Sequence, residues 1–210
     1  CYTVTTMVAT GLIVVDLVVR AGRMLNLDTV TDAVFQMVTL MTTTGYMTDD
    51  YVLWPSFSQI VLIIVMLMGG CAGSTAGGIK HVRAVLLGKS LVRDLRRILH
   101  PRQVTTIKCD GERVSEQILS GIAVFFFTYI LLLMAGTLIV AWDGVDFITA
   151  FGASLTCLSN VGPGFGTMGP TGNFSALSDV STVVLTLNML LGRLEIMPLL
   201  LLLFPGLWKK

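Results

Sequence analysis

The stretch Thr42-Thr43-Thr44-Gly45-Tyr46 determines how the rest of this chain is interpreted. It follows a weakly apolar segment, Thr29 to Met41, which is too short to cross a bilayer because a spanning helix needs about 20 residues. Polar residues come next, and the chain becomes apolar again from Ser56 to Met68. This order predicts a re-entrant segment, in which the chain enters the membrane part of the way, turns, and returns to the same side.

A turn at that depth has a particular chemistry. Backbone that is not helical inside a membrane is found only where it is buried in protein or lines a wet cavity. The Thr-Thr-Gly turn offers carbonyl and hydroxyl oxygens, which are hard ligands that suit a dehydrated cation. The stretch therefore favours a cation path.

The composition indicates an integral membrane protein. Of 210 residues, 54% are hydrophobic and 13% are charged, whereas about a quarter of the residues in soluble domains are charged. The chain opens inside an apolar segment at Cys1 without a charged leader, which predicts a fragment or a processed product. The four cysteines form no CxxC pair and lie near no histidine in the sequence, so they predict neither a metal site nor a disulfide framework.

The first membrane unit is predicted over residues 1–80. Tyr2 to Val19 is a spanning candidate, and the re-entrant segment follows it. A helix from about Phe57 to Gly70 then runs into a glycine-rich stretch that ends at Lys80. Since each glycine costs a helix about 1 kcal/mol relative to alanine, this stretch predicts a helix broken at membrane depth.

Residues 81–117 are predicted to form a basic cytoplasmic connection. Positive charges dominate from Lys80 to Lys108, and by the positive-inside rule such a loop faces the cytoplasm. Most of these charges are interpreted as solvated groups that set the topology. His81 and His100 lie in the same segment and are expected to be solvated as well.

A second unit is predicted over residues 118–210. Ile118 to Trp142 is an uncharged span with an acidic outer end, and Asp146 to Ser159 is a second short apolar segment that stops at a glycine-containing loop. A long helix from Val180 to about Leu203 leads to the basic, cytoplasmic end Lys209-Lys210. The fold class is therefore an all-α integral membrane protein with two helix, pore loop, helix repeats, and such repeats indicate a pseudo-symmetric pore or transporter.

Four motifs resemble the Trk/Ktr/HKT family of potassium transporters, and most closely its bacterial TrkH-like cation-translocating subunits. They are Thr42-Thr43-Thr44-Gly45-Tyr46, the run from Gly69 to Lys80, Asn160-Val161-Gly162-Pro163-Gly164, and Gly192-Arg193-Leu194-Glu195-Ile196-Met197-Pro198. The family has four such repeats around one potassium path. The resemblance thus implies the C-terminal half, with two of the four repeats present.

The resemblance also assigns site residues. Gly45 and Gly162 correspond to filter glycines, because glycine adopts backbone angles closed to other residues and leaves no side chain in a narrow path. The implied cation-binding filter comprises Thr43, Thr44, Gly45, Tyr46, Asn160, Val161, Gly162 and Pro163. The implied potassium ligands among them are Thr43, Thr44, Gly45, Asn160, Val161 and Gly162.

A gate is implied below the filter. The glycine-rich stretch corresponds to the family's intramembrane gating loop, and Arg193 is a charge in an otherwise apolar helix, where it costs at least about 2.5 kcal/mol. Arg193 is therefore expected to face the pore or to pair with Glu195 or with the loop. The implied gating residues are Gly73, Ser74, Thr75, Gly77, Gly78, Arg193 and Glu195.

The family also implies partners and a location. We expect the missing two-repeat half in the same or a separate chain, a homodimer, and a cytoplasmic TrkA-like ring that binds nucleotides. Membrane lipid surrounds such a subunit in the bacterial inner membrane, and neither nucleic acid nor an organic cofactor is expected. The implied function is potassium uptake, with K⁺ as the substrate and no enzymatic activity.

Other classes of protein were weighed on the residues. Gly73-Ser74 resembles the nucleophile of an intramembrane protease, but no apolar segment supplies a convincing base. The G-x-x-x-x-G-K-[ST] order of a phosphate loop is absent from the sequence. A sodium/potassium symporter, or another secondary transporter with a broken-helix site, stays open as the alternative. An anion carrier is disfavoured because both loops follow the C-terminal, negative ends of their half-helices.

Overall fold

A computed structural model describes residues 2–100, 106–109 and 112–202, and the described residues are almost entirely helical. They form eight α-helices: α1 (Tyr2–Val19), α2 (Leu27–Met41), α3 (Ser56–Met68), α4 (His81–Leu99), α5 (Glu116–Ala141), α6 (Phe147–Ser159), α7 (Asp179–Arg193) and α8 (Met197–Leu202). Two antiparallel strands of two residues each, β1 (Lys108–Cys109) and β2 (Glu112–Arg113), join α4 to α5.

Helix length separates the elements into two kinds. Helices α1 and α5 have 18 and 26 residues and are long and apolar enough to cross a membrane. Helices α2 and α6 have 15 and 13 residues and are therefore too short to do so. The predicted all-helical fold is confirmed, whereas the re-entrant course of α2 and α6 stays a prediction.

The helices pack in two sets of three. Helices α1, α2 and α3 contact one another, as do α5, α6 and α7, and α3 touches α6 where the two sets meet. Helix α6 is the most enclosed element, since every residue from Gly152 to Ser159 is buried. The short segment after the second long span therefore lies at the centre of the described chain, with the long helices around it.

The expectation of a solvated loop over residues 81–117 is wrong for its first part. Residues His81–Leu99 form a 19-residue helix, α4, because the segment alternates apolar and basic residues at helical spacing. His81 is only 5% exposed, and its ring packs edge-on against Tyr2 with 5.6 Å between ring centroids. Arg93 is buried as well and pairs with Glu116 at 2.7 Å. The positive-inside rule counts such charges without revealing their contacts.

The expected continuous helix from Val180 to Leu203 is also broken. Helix α7 ends at Arg193, and α8 starts at Met197. Between them Glu195 and Ile196 have positive φ angles of 57° and 42°, a conformation that ordinary residues rarely adopt. The last helix of each predicted repeat is thus interrupted. The predicted cytoplasmic end at Lys209-Lys210, the opening residue Cys1, and Arg102 of the basic segment lie outside the described residues.

A buried carboxylate on α1 caps the start of α3. Pro55 precedes α3 and has no side-chain group that could bind the free N–H groups of the first turn. Asp16 replaces it: its Oδ2 accepts from the backbone N of Ser58 at 3.0 Å and from the Ser58 hydroxyl at 2.6 Å. Asp16 is 6% exposed, and Arg20 lies 3.5 Å from its other oxygen. The charge that the sequence places in the first span is therefore structural.

We expect Asp16→Ala to destabilise the protein by about 1 to 3 kcal/mol, because it leaves two buried donors on Ser58 without an acceptor. The measurement is thermal unfolding of the purified protein in detergent. Asp28→Ala is the matched control, since this carboxylate is exposed in the first turn of α2 and contributes at most about 1 kcal/mol through the helix dipole. Equal losses in the two variants would contradict the capping role.

A polar cluster orders the segment that follows the first loop. The Asp49 carboxylate contacts the Arg23 guanidinium at 2.7 Å and accepts from the Trp54 indole N–H at 2.8 Å. The side-chain amide of Gln36 on α2 donates to the Asp49 carbonyl at 2.8 Å. Partial burial alone would raise the pKa of Asp49, but the hydrogen bonds from Trp54 and Arg23, with the Arg23 charge, hold that pKa below its usual value.

This pKa direction gives a pH dependence. A carboxyl group whose pKa is lower in the folded state than in the unfolded chain stabilises the fold at pH values above its unfolded-state pKa, which is about 3.9. This stabilisation is lost as the pH falls through the folded-state pKa. We expect Asp49→Asn to lower the free energy of unfolding near pH 7 by less than about 1 kcal/mol because the pair is partly exposed, and this appears as a small decrease in melting temperature. The difference from wild type should shrink below about pH 4. A difference that stays constant from pH 7 to pH 3 would contradict the ion pair.

Candidate functional site

The two predicted filter loops have the same backbone conformation. Thr43 and Asn160 both have φ of 56°, and the glycines two residues later, Gly45 and Gly162, have φ of 80° and 115°. The hydrogen bonds match as well: Thr44 N donates to the Thr39 carbonyl at 2.9 Å, and Val161 N donates to the Thr156 carbonyl at 3.1 Å. The loops therefore leave α2 and α6 in the same way although their sequences differ.

The structure brings the two loops into direct contact. Gly45 lies so close to the other loop that a Cβ atom at this position would collide with the Val161 carbonyl oxygen and lie 3.2 Å from Pro163 Cδ. Gly45 is thus required for close approach of the backbones as well as for its positive φ. Gly162 differs, because a Cβ atom there would point into open space. Its side of the loop faces away from the rest of the described chain.

The other predicted filter residues surround this contact. The hydroxyls of Thr42 and Thr44 lie 2.7 Å apart, Thr43 and Asn160 are half-buried, and Val161 is buried. Tyr46 is 71% exposed. Among the described residues no group of three or more His, Cys, Asp or Glu is placed to bind a metal.

Several residues that sequence reasoning missed support the second loop. The Thr156 hydroxyl accepts from Gly162 N at 3.0 Å, and the Tyr51 hydroxyl donates to the Gly164 carbonyl at 2.8 Å. The hydroxyls of Tyr129 and Ser159 lie 2.7 Å apart, and both residues are buried. A tyrosine inside an apolar segment is a usable signal, because a buried phenol needs a hydrogen-bond partner.

The glycine-rich stretch covers the end of α6. A Cβ atom on Gly77 would collide with the Ser159 carbonyl oxygen, and one on Gly192 would collide with the Leu158 carbonyl oxygen. Both oxygens belong to the last turn of α6, where carbonyls have no partner within the helix. Gly78 is packed closely but less tightly, with its added Cβ 3.1 Å from Gly69 Cα. By contrast, the neighbouring predicted gating residues Gly73, Ser74 and Thr75 are exposed.

Arg193 contacts the glycine-rich stretch. Its Nη1 donates to the Thr75 carbonyl at 2.6 Å, which is one of the three placements that its sequence position left open. Glu195 does not pair with Arg193 but with Lys80 and Arg83, the latter at 2.9 Å. Lys80 and Arg83 are therefore paired and not solvated, whereas the role of the basic segment in setting the topology stays a prediction. Both contacts join residues of the two repeats that are more than 110 positions apart.

These groups line one cavity of about 190 Å³. The glycine-rich stretch forms one wall, the break between α7 and α8 forms another, and Phe125 and Tyr129 of α5 close the side. Arg83 lies over the Phe125 ring, 4.4 Å from its centroid. Of the predicted gating residues, Ser74, Thr75, Gly78, Arg193 and Glu195 line this cavity, whereas Gly77 is buried against α6.

Comparison with known proteins identifies the family. The model of the TrkH family, described as cation transport protein, matches residues 3–208. The potassium uptake protein TrkH of the Trk system in Escherichia coli strain K12 is 39% identical over 184 residues, which are 88% of this chain and 38% of that protein. TrkI of Halomonas elongata is 36% identical over 181 residues, with 86% and 37% covered. TrkG of Escherichia coli strain K12 is 33% identical over 175 residues, with 83% and 36% covered.

A solved structure agrees with these relatives. The crystal structure of the potassium transporter TrkH from Vibrio parahaemolyticus superimposes with a TM-score of 0.90 at 34% identity, over 99% of this chain and 44% of that one. The chain spans about 38% of the length of the Escherichia coli relative, which fits the expected half of a four-repeat subunit. On the family match and these identities, the chain belongs to the TrkH family of cation transport proteins.

Proposed function

We propose that this chain forms one side of a potassium uptake pathway. The observation that carries the proposal is the pair of loops 42–46 and 160–164, which share one backbone conformation and touch through Gly45 and Val161. A single narrow path that is lined by repeated units requires loops of the same shape on neighbouring half-helices. Two such walls do not close a path, so the remaining walls come from the other half of the assembly.

The chemistry of the loops suits a cation. Both follow the C-terminal ends of α2 and α6, where the helix dipole is negative. The oxygens that we assign to potassium are those of Thr43, Thr44, Gly45, Asn160, Val161 and Gly162, with Tyr46 and Pro163 completing the loops. Rings of such carbonyl oxygens replace the hydration shell of an ion.

The relatives favour potassium over the alternative of a sodium/potassium symporter. Each of the relatives named above is a potassium uptake protein of a Trk system. At 33–39% identity over most of this chain, the same transported ion is the simplest inference. We propose uptake through a pore and no enzymatic activity.

The assembly around this chain follows from its partial length. We propose that the complete subunit contains two further repeats, that it forms a homodimer in the bacterial inner membrane, and that a TrkA-like ring that binds nucleotides docks on its cytoplasmic side. The basic helix α4 and the C-terminal end are assigned to that side because of their positive charge.

We propose further that the glycine-rich stretch and Arg193 gate the pathway. The exposed segment Gly73-Ser74-Thr75 is held by the hydrogen bond from Arg193 to the Thr75 carbonyl. Its neighbour Gly77 is buried against the end of α6, and the half-buried Gly78 packs against Gly69. A loop with one anchored end and one end held by a single side chain is suited to move, and Glu195 fixes the helix break from which Arg193 extends.

We expect Gly45→Ser and Gly162→Ser to lower the preference for potassium over sodium. At Gly45 the new side chain collides with the Val161 carbonyl, and at Gly162 it strains a φ of 115° and projects into open space. A tenfold loss of selectivity, about 1.4 kcal/mol, is the expected scale. The measurement is rubidium and sodium flux in proteoliposomes that contain the complete transporter.

Gly88→Ser is the matched control for this substitution, because Gly88 lies within α4 and has no atom within 4 Å of an added Cβ. We expect it to leave selectivity unchanged. Unaltered selectivity in both loop variants, at wild-type levels of folded protein, would remove the filter assignment.

We expect Arg193→Ala to raise cation flux severalfold. The change removes the hydrogen bond to Thr75 and also a positive charge, which repels a cation by about 4 kcal/mol at 4 Å and an effective dielectric constant of 20, less where water fills the path. Arg193→Lys keeps the charge and should stay closer to wild type. The measurement is rubidium flux per folded protein, with Arg97→Ala on α4 as the control.

Thermal unfolding distinguishes a gating role of Arg193 from a purely structural role in this experiment. If Arg193→Ala strongly lowers the melting temperature in detergent and leaves flux unchanged, Arg193 only holds the fold, and the gate assignment is wrong.

A further inference from the structure

The cavity between the glycine-rich stretch and the break after α7 carries an excess of positive charge. We infer that it binds an anion, held by Arg83 together with Lys80 and Arg193. This ligand is distinct from the potassium ion that we propose is transported. An effect of the anion on cation flux would depend on the proposed function, whereas binding of the anion would not.

The first argument is the balance of charges. Of the residues that line the cavity, Lys80, Arg83 and Arg193 are cationic and Glu195 is the one acid. Both oxygens of that carboxylate are already engaged, one by Lys80 and one by Arg83 Nη2. The lining therefore keeps two uncompensated positive charges. A partly enclosed space of this kind concentrates anions and repels cations.

The second argument is an unsatisfied donor. Arg83 Nη1 is buried and has no hydrogen-bond acceptor among the described residues. The guanidinium cannot easily turn to find one, because it lies 4.4 Å above the Phe125 ring and its Nη2 is bound to Glu195. A buried charged donor without an acceptor is costly, and an anion is the partner that relieves this cost most strongly.

The third argument is size. The cavity measures about 190 Å³, and one water molecule occupies about 30 Å³ in the liquid. The space therefore accommodates a halide with several waters, or a carboxylate. Two sources present this chemistry: a free inorganic anion from the cytoplasm, and an acidic side chain from a part of the assembly that lies outside this chain.

Diffraction from crystals of the complete transporter soaked in bromide distinguishes the two sources. We expect an anomalous peak in the cavity next to Arg83 if the anion is free. A carboxylate of another segment bound to Arg83 would show that the protein supplies the anion itself. A cavity with neither overturns the inference, and so does a peak of equal height in Arg83→Gln crystals, which marks an adventitious ion only.

Two substitutions on opposite sides of the ion pair test the site in solution. The measurement is the rise in melting temperature as bromide replaces gluconate at constant ionic strength. Arg83→Gln should weaken bromide binding about tenfold or more, the scale of a lost hydrogen bond to a charged group. Glu195→Gln should strengthen it, because it releases Lys80 and Arg83 from their only described carboxylate.

Arg96→Gln removes one positive charge from the same helix, away from the cavity lining, and should leave bromide binding unchanged. If the variants of Arg83 and Glu195 instead lose bromide binding to the same extent, the ion pair is purely structural and the inference is wrong. Because binding is measured without transport, this result stays separate from any failure of the potassium proposal.

Discussion

The carbonyl oxygens at the end of α6, which have no partner within the helix, are the constraint on which the arrangement of both helix sets depends. A helix that stops inside an apolar environment leaves its last carbonyls without partners, and they need either hydrogen bonds or close polar cover. Here Gly77 from one repeat and Gly192 from the other approach Ser159 and Leu158 at distances that no side chain allows. The glycine content of both motifs therefore follows from packing around one short helix, and the positions of Thr75 and Arg193 depend on it.

The loops were predictable because their signals are local. A short apolar segment followed by a glycine turn occurs twice in the sequence at matching positions, and the structure gives both turns one conformation, down to the φ of 56° shared by Thr43 and Asn160. Long apolar runs also placed α1 and α5 closely. What local signals do not reveal is that Gly45 is needed for contact with Val161, since that contact joins positions 116 residues apart.

The break after α7 was not predictable for the opposite reason. Leucine and glutamate favour helices, and Leu194-Glu195-Ile196 contains no glycine or proline. The positive φ angles of Glu195 and Ile196 are maintained by distant partners: Glu195 is bound by Lys80 and Arg83, and the Ile196 side chain is buried. Lys80 and Arg83 resembled topology signals in the sequence because their binding partner is also distant. Their carboxylate partner lies in the other repeat, and tertiary contacts override local preference at such a site.

Helix α4 begins at this junction and connects it to more distant residues. The helix has 19 residues, and at 1.5 Å per residue it is a stiff rod of about 28 Å. Arg83 near one end is tied to Glu195, and Arg93 further along is tied to Glu116 at the start of α5. Only the six residues after Arg93 extend beyond both contacts. Because one stiff helix carries both contacts, a displacement of α4 is expected to act on Glu195 and Glu116 together.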